Sequence, residues 1–155
     1  MAQKAPIYTA EAHVTGGRAE GHGRTSDGAL EVDIRIPEEM GGTGGGTNPE
    51  QLFAVGYAAC LESALGVVAR RRRQEAGDVA IDSKVMLLST DERGFTLGVA
   101  LEVTLPSVDD ADEAVELVRA AHAVCPYSNA TRGNIDVALT ANGRDVEEAS
   151  TPATA

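Results

Sequence analysis

The chain has 155 residues and a mass of 16.0 kDa, which fits one domain or one protomer of an oligomer with a shared core. Thirteen Lys and Arg against 24 Asp and Glu give a net charge of −11, so the chain is a poor non-specific ligand for nucleic acid or an anionic membrane. Aromatics make up only 3% of the residues, with no Trp; no uninterrupted run of about 18 apolar residues suggests a membrane span, and the opening MAQKAPIYTAEAH lacks the apolar core of a signal peptide, so the sequence predicts a cytoplasmic protein.

Residues 7–14 read as a first strand. The Gly-rich stretch 16–28 reads as turns and short strand pieces. Leu30, Val32, Ile34 and Ile36 alternate with charged residues, the pattern of a half-buried strand. Five of the six positions from Gly41 to Gly46 are glycine; without a following GK[ST] they form a turn, not a phosphate loop. Asn48-Pro49-Glu50-Gln51 is a helix start, with Asn48 as cap, Pro49 in the first helical position and Gln51 able to fold back. The helix is expected over 49–74. From Leu52 to Ala69 it is apolar on nearly every face, which predicts burial on all sides and a core shared with a second chain. Arg70–Arg73 end it with positive charge suited to the helix dipole.

Residues 79–89 and 95–105 read as an antiparallel pair around Asp91–Gly94. Phe95, Leu97, Val99, Leu101, Val103 and Leu105 share one face. A second helix is expected from about Ser107–Asp109 to Val124, with Ala111, Ala114, Val115, Val118 and Ala121 or His122 as its apolar stripe. Pro126 stops it at Cys125. Pro126–Asn129 can open a short helical turn, and Ile135, Val137 and Leu139 form a last strand. The element order gives an α+β fold, as one domain over 1–143 with a polar tail over 144–155.

Cys60 and Cys125 are the two cysteines. There is no CxxC, and no His lies at metal-ligand spacing, so no metal site is expected. Each cysteine is either a small core residue or a redox group. A reactive Cys60 needs a thiolate, and burial opposes one. The helix dipole fades within a turn and cannot help at mid-helix. A cation must therefore come from elsewhere in the fold; lowering the thiol pKa by two units corresponds to about 2.7 kcal/mol. A cation beside an apolar pocket needs a counter-charge. Glu50 has the right charge but lies ten residues before Cys60, roughly 15 Å along a helix. It could orient a long Arg side chain, and equally it is a favourable charge at a helix start.

Three segments then bring a family into view. YTAEAHVTGGR at 8–18, NPEQLFAVGYAAC at 48–60 and VCPYSNATRGNIDV at 124–137 closely resemble the organic hydroperoxide resistance proteins, the Ohr branch of the OsmC/Ohr superfamily. The resemblance runs to about Gly143. It implies an intertwined homodimer in which two antiparallel sheets wrap two central buried helices, with active sites at the interface. It implies a thiol peroxidase in which Cys60 is the peroxidatic nucleophile and Cys125 the resolving cysteine. Arg18 would stabilise the thiolate, and Glu50 would pair with Arg18; Arg24 is the alternative cation. Glu62, Ser63 and the four-arginine run depart from the family pattern and bear on pocket shape.

The same resemblance implies that an organic hydroperoxide oxidises Cys60 to a sulfenic acid and that Cys125 closes a Cys60–Cys125 disulfide. A lipoyl dithiol, on dihydrolipoamide or a lipoylated protein, would restore both thiols. No bound cofactor is called for. Tyr127 is a candidate pocket residue, whereas His13, His22 and His122 read as surface or satisfied core residues. The competing readings are a thiol redox sensor and a non-enzymatic carrier of a hydrophobic ligand.

Overall fold

The computed structural model describes residues 4–147. The chain divides into two compact units, Met1–Leu52 and Phe53–Ala155.

The first unit is built on a three-stranded antiparallel sheet in the order β1-β2-β3: β1 (Ala12–Thr15), β2 (Gly21–Thr25) and β3 (Glu31–Ile34). A four-residue helix, α1 (Gly17–Glu20), connects β1 to β2. The first strand starts later than the alternation suggested. Its partner β2 ends at Thr25, opposite Ala12, and Ile7 and Tyr8 beyond that point are 104% and 79% exposed. After β3 the chain makes a 3-10 turn at Glu38–Met40 and enters the glycine run. That loop is held to β3: Thr47 N–H donates to Asp33 O at 2.8 Å and Arg35 N–H to Thr47 O at 2.9 Å. At Gly42 a Cβ would stand 2.1 Å from the Ile36 carbonyl oxygen, so no side chain fits there.

Helix α2 (Pro49–Arg71) begins as expected but ends three residues before Gln74. Arg73 takes a left-handed conformation (φ 54°). Gln74 N–H then donates to Ala69 O at 2.9 Å and Arg73 N–H to Arg70 O at 3.2 Å. These are the two bonds of a Schellman stop, with arginine at the position glycine usually fills. By length and composition α2 could cross a membrane, with mean hydropathy 1.8 over its most apolar window. Instead Tyr57, Leu61, Ala64, Leu65 and Val68 enter a protein core. In the single chain the burial is one-sided: Val55 is 71% exposed, and Ala59, Glu62 and Ser63 lie along exposed positions.

The second unit has a four-stranded sheet in the order β4-β5-β6-β7. Strands β4 (Ala80–Ser89) and β5 (Phe95–Thr104) form the expected hairpin. Helices α3 (Ala111–Val124) and α4 (Pro126–Thr131) follow, and β6 (Val137–Ala141) returns beside β5 in parallel. The sheet is therefore mixed rather than antiparallel, because a crossover containing helices brings the chain back to the same end. β7 (Arg144–Asp145) pairs antiparallel with β6. The sheet thus extends past Gly143 into the stretch expected to be tail, and residues 148–155 of that stretch lie outside the described residues.

Val99, Leu101, Val103 and Leu105 are buried against the core, while Phe95 at the strand end is 75% exposed. Asp110 caps α3 by accepting from Glu113 N–H at 2.9 Å. Its buried stripe is Ala114, Leu117, Val118, Ala121 and His122; relative to the sequence pattern Leu117 is added, Ala111 is exposed and Val115 only half-buried.

Candidate functional site

In the first unit, the backbone before Arg18 is set by two glycines. Gly16 (φ 78°) and Gly17 (φ 59°) are left-handed, and a Cβ on Gly16 would lie 2.2 Å from the Glu20 carbonyl oxygen. Glu50 sits in the first turn of α2, which Asn48 caps by accepting from Gln51 N–H at 2.9 Å. Gln51 does not fold back onto the cap backbone; its Oε1 accepts from the Thr47 hydroxyl at 2.9 Å.

Arg18 and Glu50 form a two-pronged ion pair, with Nη1–Oε2 at 2.9 Å and Nη2–Oε1 at 2.5 Å. Such forked pairs fix the guanidinium in a plane as well as in position. The hydrogen bonds from Arg18 hold the Glu50 carboxyl below its ordinary range, against partial burial. Arg24, the alternative cation for the thiolate, lies 3.7 Å from Glu31.

In the second unit, Cys60 lies on α2 and is half-buried, while Cys125 is fully buried. Their sulfurs are 3.5 Å apart, with the Cys125 thiol directed at Cys60. Both are free thiols. Cys125 sits at the break between α3 and α4: its N–H donates to Ala121 O at 2.9 Å, and its carbonyl accepts from Asn129 N–H at 3.0 Å. Burial pushes the Cys60 thiol up; a hydrogen bond from the Tyr127 backbone N–H works the other way, and the Cys125 thiol adds to the rise. The surroundings supplied by this unit thus favour the thiol over the thiolate.

Three of the chain's five aromatic residues gather beside Cys60. Phe53, Tyr57 and Tyr127 have ring centroids 5.7–5.8 Å apart. Gly56 makes room for Tyr127, since a Cβ there would stand 2.9 Å from the Tyr127 hydroxyl. Tyr127 was legible only as a neighbour of Cys125; that its main chain touches the Cys60 sulfur was not. Tyr57, Ser128 and Thr131 form a buried hydroxyl cluster that gave no sequence signal, because Tyr57 lies 71 and 74 residues from its two partners. His122 is the satisfied core residue expected of it, bonded to Ser128. Among the described residues, no group of three or more His, Cys, Asp or Glu is placed to hold a metal ion.

Residues 42–140 match the family described as OsmC-like protein. The organic hydroperoxide resistance protein of Xanthomonas axonopodis pv. citri is 52% identical over 136 residues, covering 86% of this chain and 94% of that protein. OhrB of Bacillus subtilis is 47% identical over 134 residues, covering 86% and 96%. The crystal structure of an organic hydroperoxide resistance protein from Legionella pneumophila superposes with a TM-score of 0.84 at 51% identity, covering 88% of this chain and 98% of that one. The architecture, the two cysteine segments and these likenesses agree, and the chain belongs to the OsmC family, in its organic hydroperoxide resistance branch.

Proposed function

We propose that the protein is a cysteine-based thiol peroxidase that reduces organic hydroperoxides to alcohols. The observation that carries this reading is the approach of two unbonded sulfurs to 3.5 Å from positions 65 residues apart, one of them fully buried. Relatives named for organic hydroperoxide resistance supply the substrate class.

In the first step the Cys60 thiolate attacks one peroxide oxygen. The O–O bond breaks, the alkoxide takes a proton and leaves as the alcohol, and Cys60 becomes a sulfenic acid. In the second step Cys125 attacks that sulfur. An S–S bond forms, the S–O bond breaks, and the hydroxyl leaves with the Cys125 proton as water. The sulfurs must close by about 1.5 Å to reach disulfide length. In the third step an external dithiol of the lipoyl type attacks the disulfide, is itself oxidised to a cyclic disulfide, and leaves two thiols.

The cation the thiolate needs is assigned to Arg18, held in orientation by Glu50. Among the described residues of the second unit, Cys60 meets the Tyr127 backbone N–H and the Cys125 thiol, neither of them a cation, and the forked Arg18–Glu50 pair has the rigidity that a preorganised electrostatic partner requires. The organic part of the peroxide would rest on Phe53 and Tyr127. The reading also takes the working form as a homodimer in a reducing, cytoplasmic setting, since the apolar helix α2 leaves Val55 largely exposed in one chain.

Steady-state consumption of cumene hydroperoxide with dihydrolipoamide, compared with glutathione and thioredoxin, tests the proposal. Turnover with dihydrolipoamide that vanishes in Cys60→Ser is the expected outcome. Function retained in Cys60→Ser would point to a ligand carrier instead.

A further inference from the structure

Behind the two cysteines lies a ring of hydrogen bonds that the reaction steps above do not use. His122, in the last turn of α3, meets Ser128 Oγ through Nδ1 at 2.7 Å. Ser128 Oγ also lies 3.0 Å from the Tyr57 hydroxyl, and that hydroxyl lies 3.1 Å from Thr131 Oγ1. Thr131 in turn donates to the Ser128 carbonyl oxygen at 3.3 Å. Tyr57 and Ser128 are fully buried, and His122 and Thr131 are 6% exposed.

With the proton on His122 Nδ1, each hydroxyl has one acceptor: Ser128 donates to Tyr57, Tyr57 to Thr131, and Thr131 to the Ser128 carbonyl. Because each member is shielded from water, removing one strands a neighbour's polar atom, which costs more than the lost bond alone.

The placement of this ring bears on chemistry. Cys125 lies between His122 and Ser128 in sequence, where the helical backbone breaks before Pro126. Main-chain bonds hold each side of the break, but the His122–Ser128 bond spans it, as does Arg132 Nη2, which donates to the His122 carbonyl at 2.8 Å. Tyr57 then ties the spanned corner to α2, one turn before Cys60. The same four side chains therefore fix the helix bearing one sulfur against the corner bearing the other.

We propose that the His122–Ser128–Tyr57–Thr131 ring positions Cys125 for the disulfide-forming step, with Tyr57 and Ser128 as positioning residues. This rests on the peroxidase reading. With the corner locked, closure of the sulfurs falls on rotation of the two cysteine side chains and not on movement of α4. The ring accelerates resolution of the sulfenic acid and leaves the attack on peroxide unaffected.

Two rates separate the roles. The first is oxidation of Cys60 by one equivalent of cumene hydroperoxide. The second is disulfide formation, followed as the fraction of Cys60 sulfenic acid that dimedone captures before Cys125 does. Tyr57→Phe and Ser128→Ala are expected to slow disulfide formation about ten-fold, the effect of one strained or lost buried hydrogen bond, with Cys60 oxidation within about two-fold of wild type. His122→Asn, whose amide can reach the Nδ1 position, is expected to resolve near the wild-type rate, whereas His122→Leu follows Ser128→Ala.

Resolution at the wild-type rate in both Tyr57→Phe and Ser128→Ala overturns the inference. So does equal slowing of both steps, which marks general loosening. If the wild-type protein yields neither dimedone-labelled Cys60 nor the disulfide, the peroxidase reading itself fails.

Discussion

Cys60 carries two opposed demands. In the proposed mechanism it must be sheltered, so that its sulfenic acid meets Cys125 before a second peroxide, yet shelter raises its pKa. An amide N–H from Tyr127 offsets only part of that rise. Alkylation of Cys60 by iodoacetamide as a function of pH measures the remainder. In wild type the midpoint is expected below the ordinary thiol value of about 8.5. In Arg18→Met it moves to or above that value. A midpoint that stays unchanged in Arg18→Met removes Arg18 from the mechanism. In the proposed mechanism Glu50 sets the acid limit. Its carboxyl is lowered by Arg18, so the pair's contribution is complete above the ordinary carboxylate range and is lost as pH falls through the lowered value. Glu50→Gln is expected to reduce turnover at neutral pH while leaving the fold intact by circular dichroism. Cys125→Ser should oxidise once and then fail to recycle with dihydrolipoamide. At this scale Cys60, Cys125, Arg18 and Glu50 stand out because each sits inside a distinctive sequence segment, and the structure brings them together as two pairs, Arg18 with Glu50 and Cys60 with Cys125. Tyr57, Ser128 and Thr131 do not stand out: a hydroxyl in a helix pattern reads as an ordinary polar break, and its partner is set only by tertiary packing.

Elements were legible wherever periodicity was strong. The β4–β5 hairpin and α3 follow from alternation and a helical stripe, and Asn48 and Asp110 act as caps. What escaped was anything set by pairing partners. β1 is shortened by where β2 ends, and the parallel β5–β6 pair depends on strand order, which local sequence does not encode. The end of α2, at Arg71 and not Gln74, differs from the sequence pattern for a related reason. Arginine favours helix, but Arg73 is held left-handed to complete the stop. A β-carbon in that conformation costs roughly 1 kcal/mol that glycine avoids. Arg73→Gly is therefore expected to stabilise the protein by about 0.5–1 kcal/mol, raising the melting temperature by a few degrees for a chain of this size. Activity should not change. A lower melting temperature would mean that the Arg73 side chain contributes more than its backbone conformation costs.

For the whole molecule, the decisive feature is that α2 is apolar on more faces than one chain covers. Tyr57, Leu61, Leu65 and Val68 are spent on the core, yet Val55 is 71% exposed and Ala59 beside it is exposed as well. The N-terminal residues Ile7 and Tyr8 are also bare. Scattered exposed apolar residues are ordinary, but a stripe along a central helix together with an extended apolar segment calls for a cover. A second copy of the chain is the cover the proposed function assumes. Against it stands a charge of −11 on each chain, whose mutual repulsion weakens as salt rises. An apolar interface under such repulsion should tighten with ionic strength. Sedimentation velocity is thus expected to give a particle of twice the chain mass, with dissociation on dilution less pronounced at high salt. Val55→Asp places a carboxylate on the face that the proposed dimer would cover, where burying it unpaired costs several kcal/mol. That variant should sediment as a single chain. If it remains a dimer with unchanged salt dependence, the exposed face of α2 is not the contact, and its apolar character must be explained within one chain.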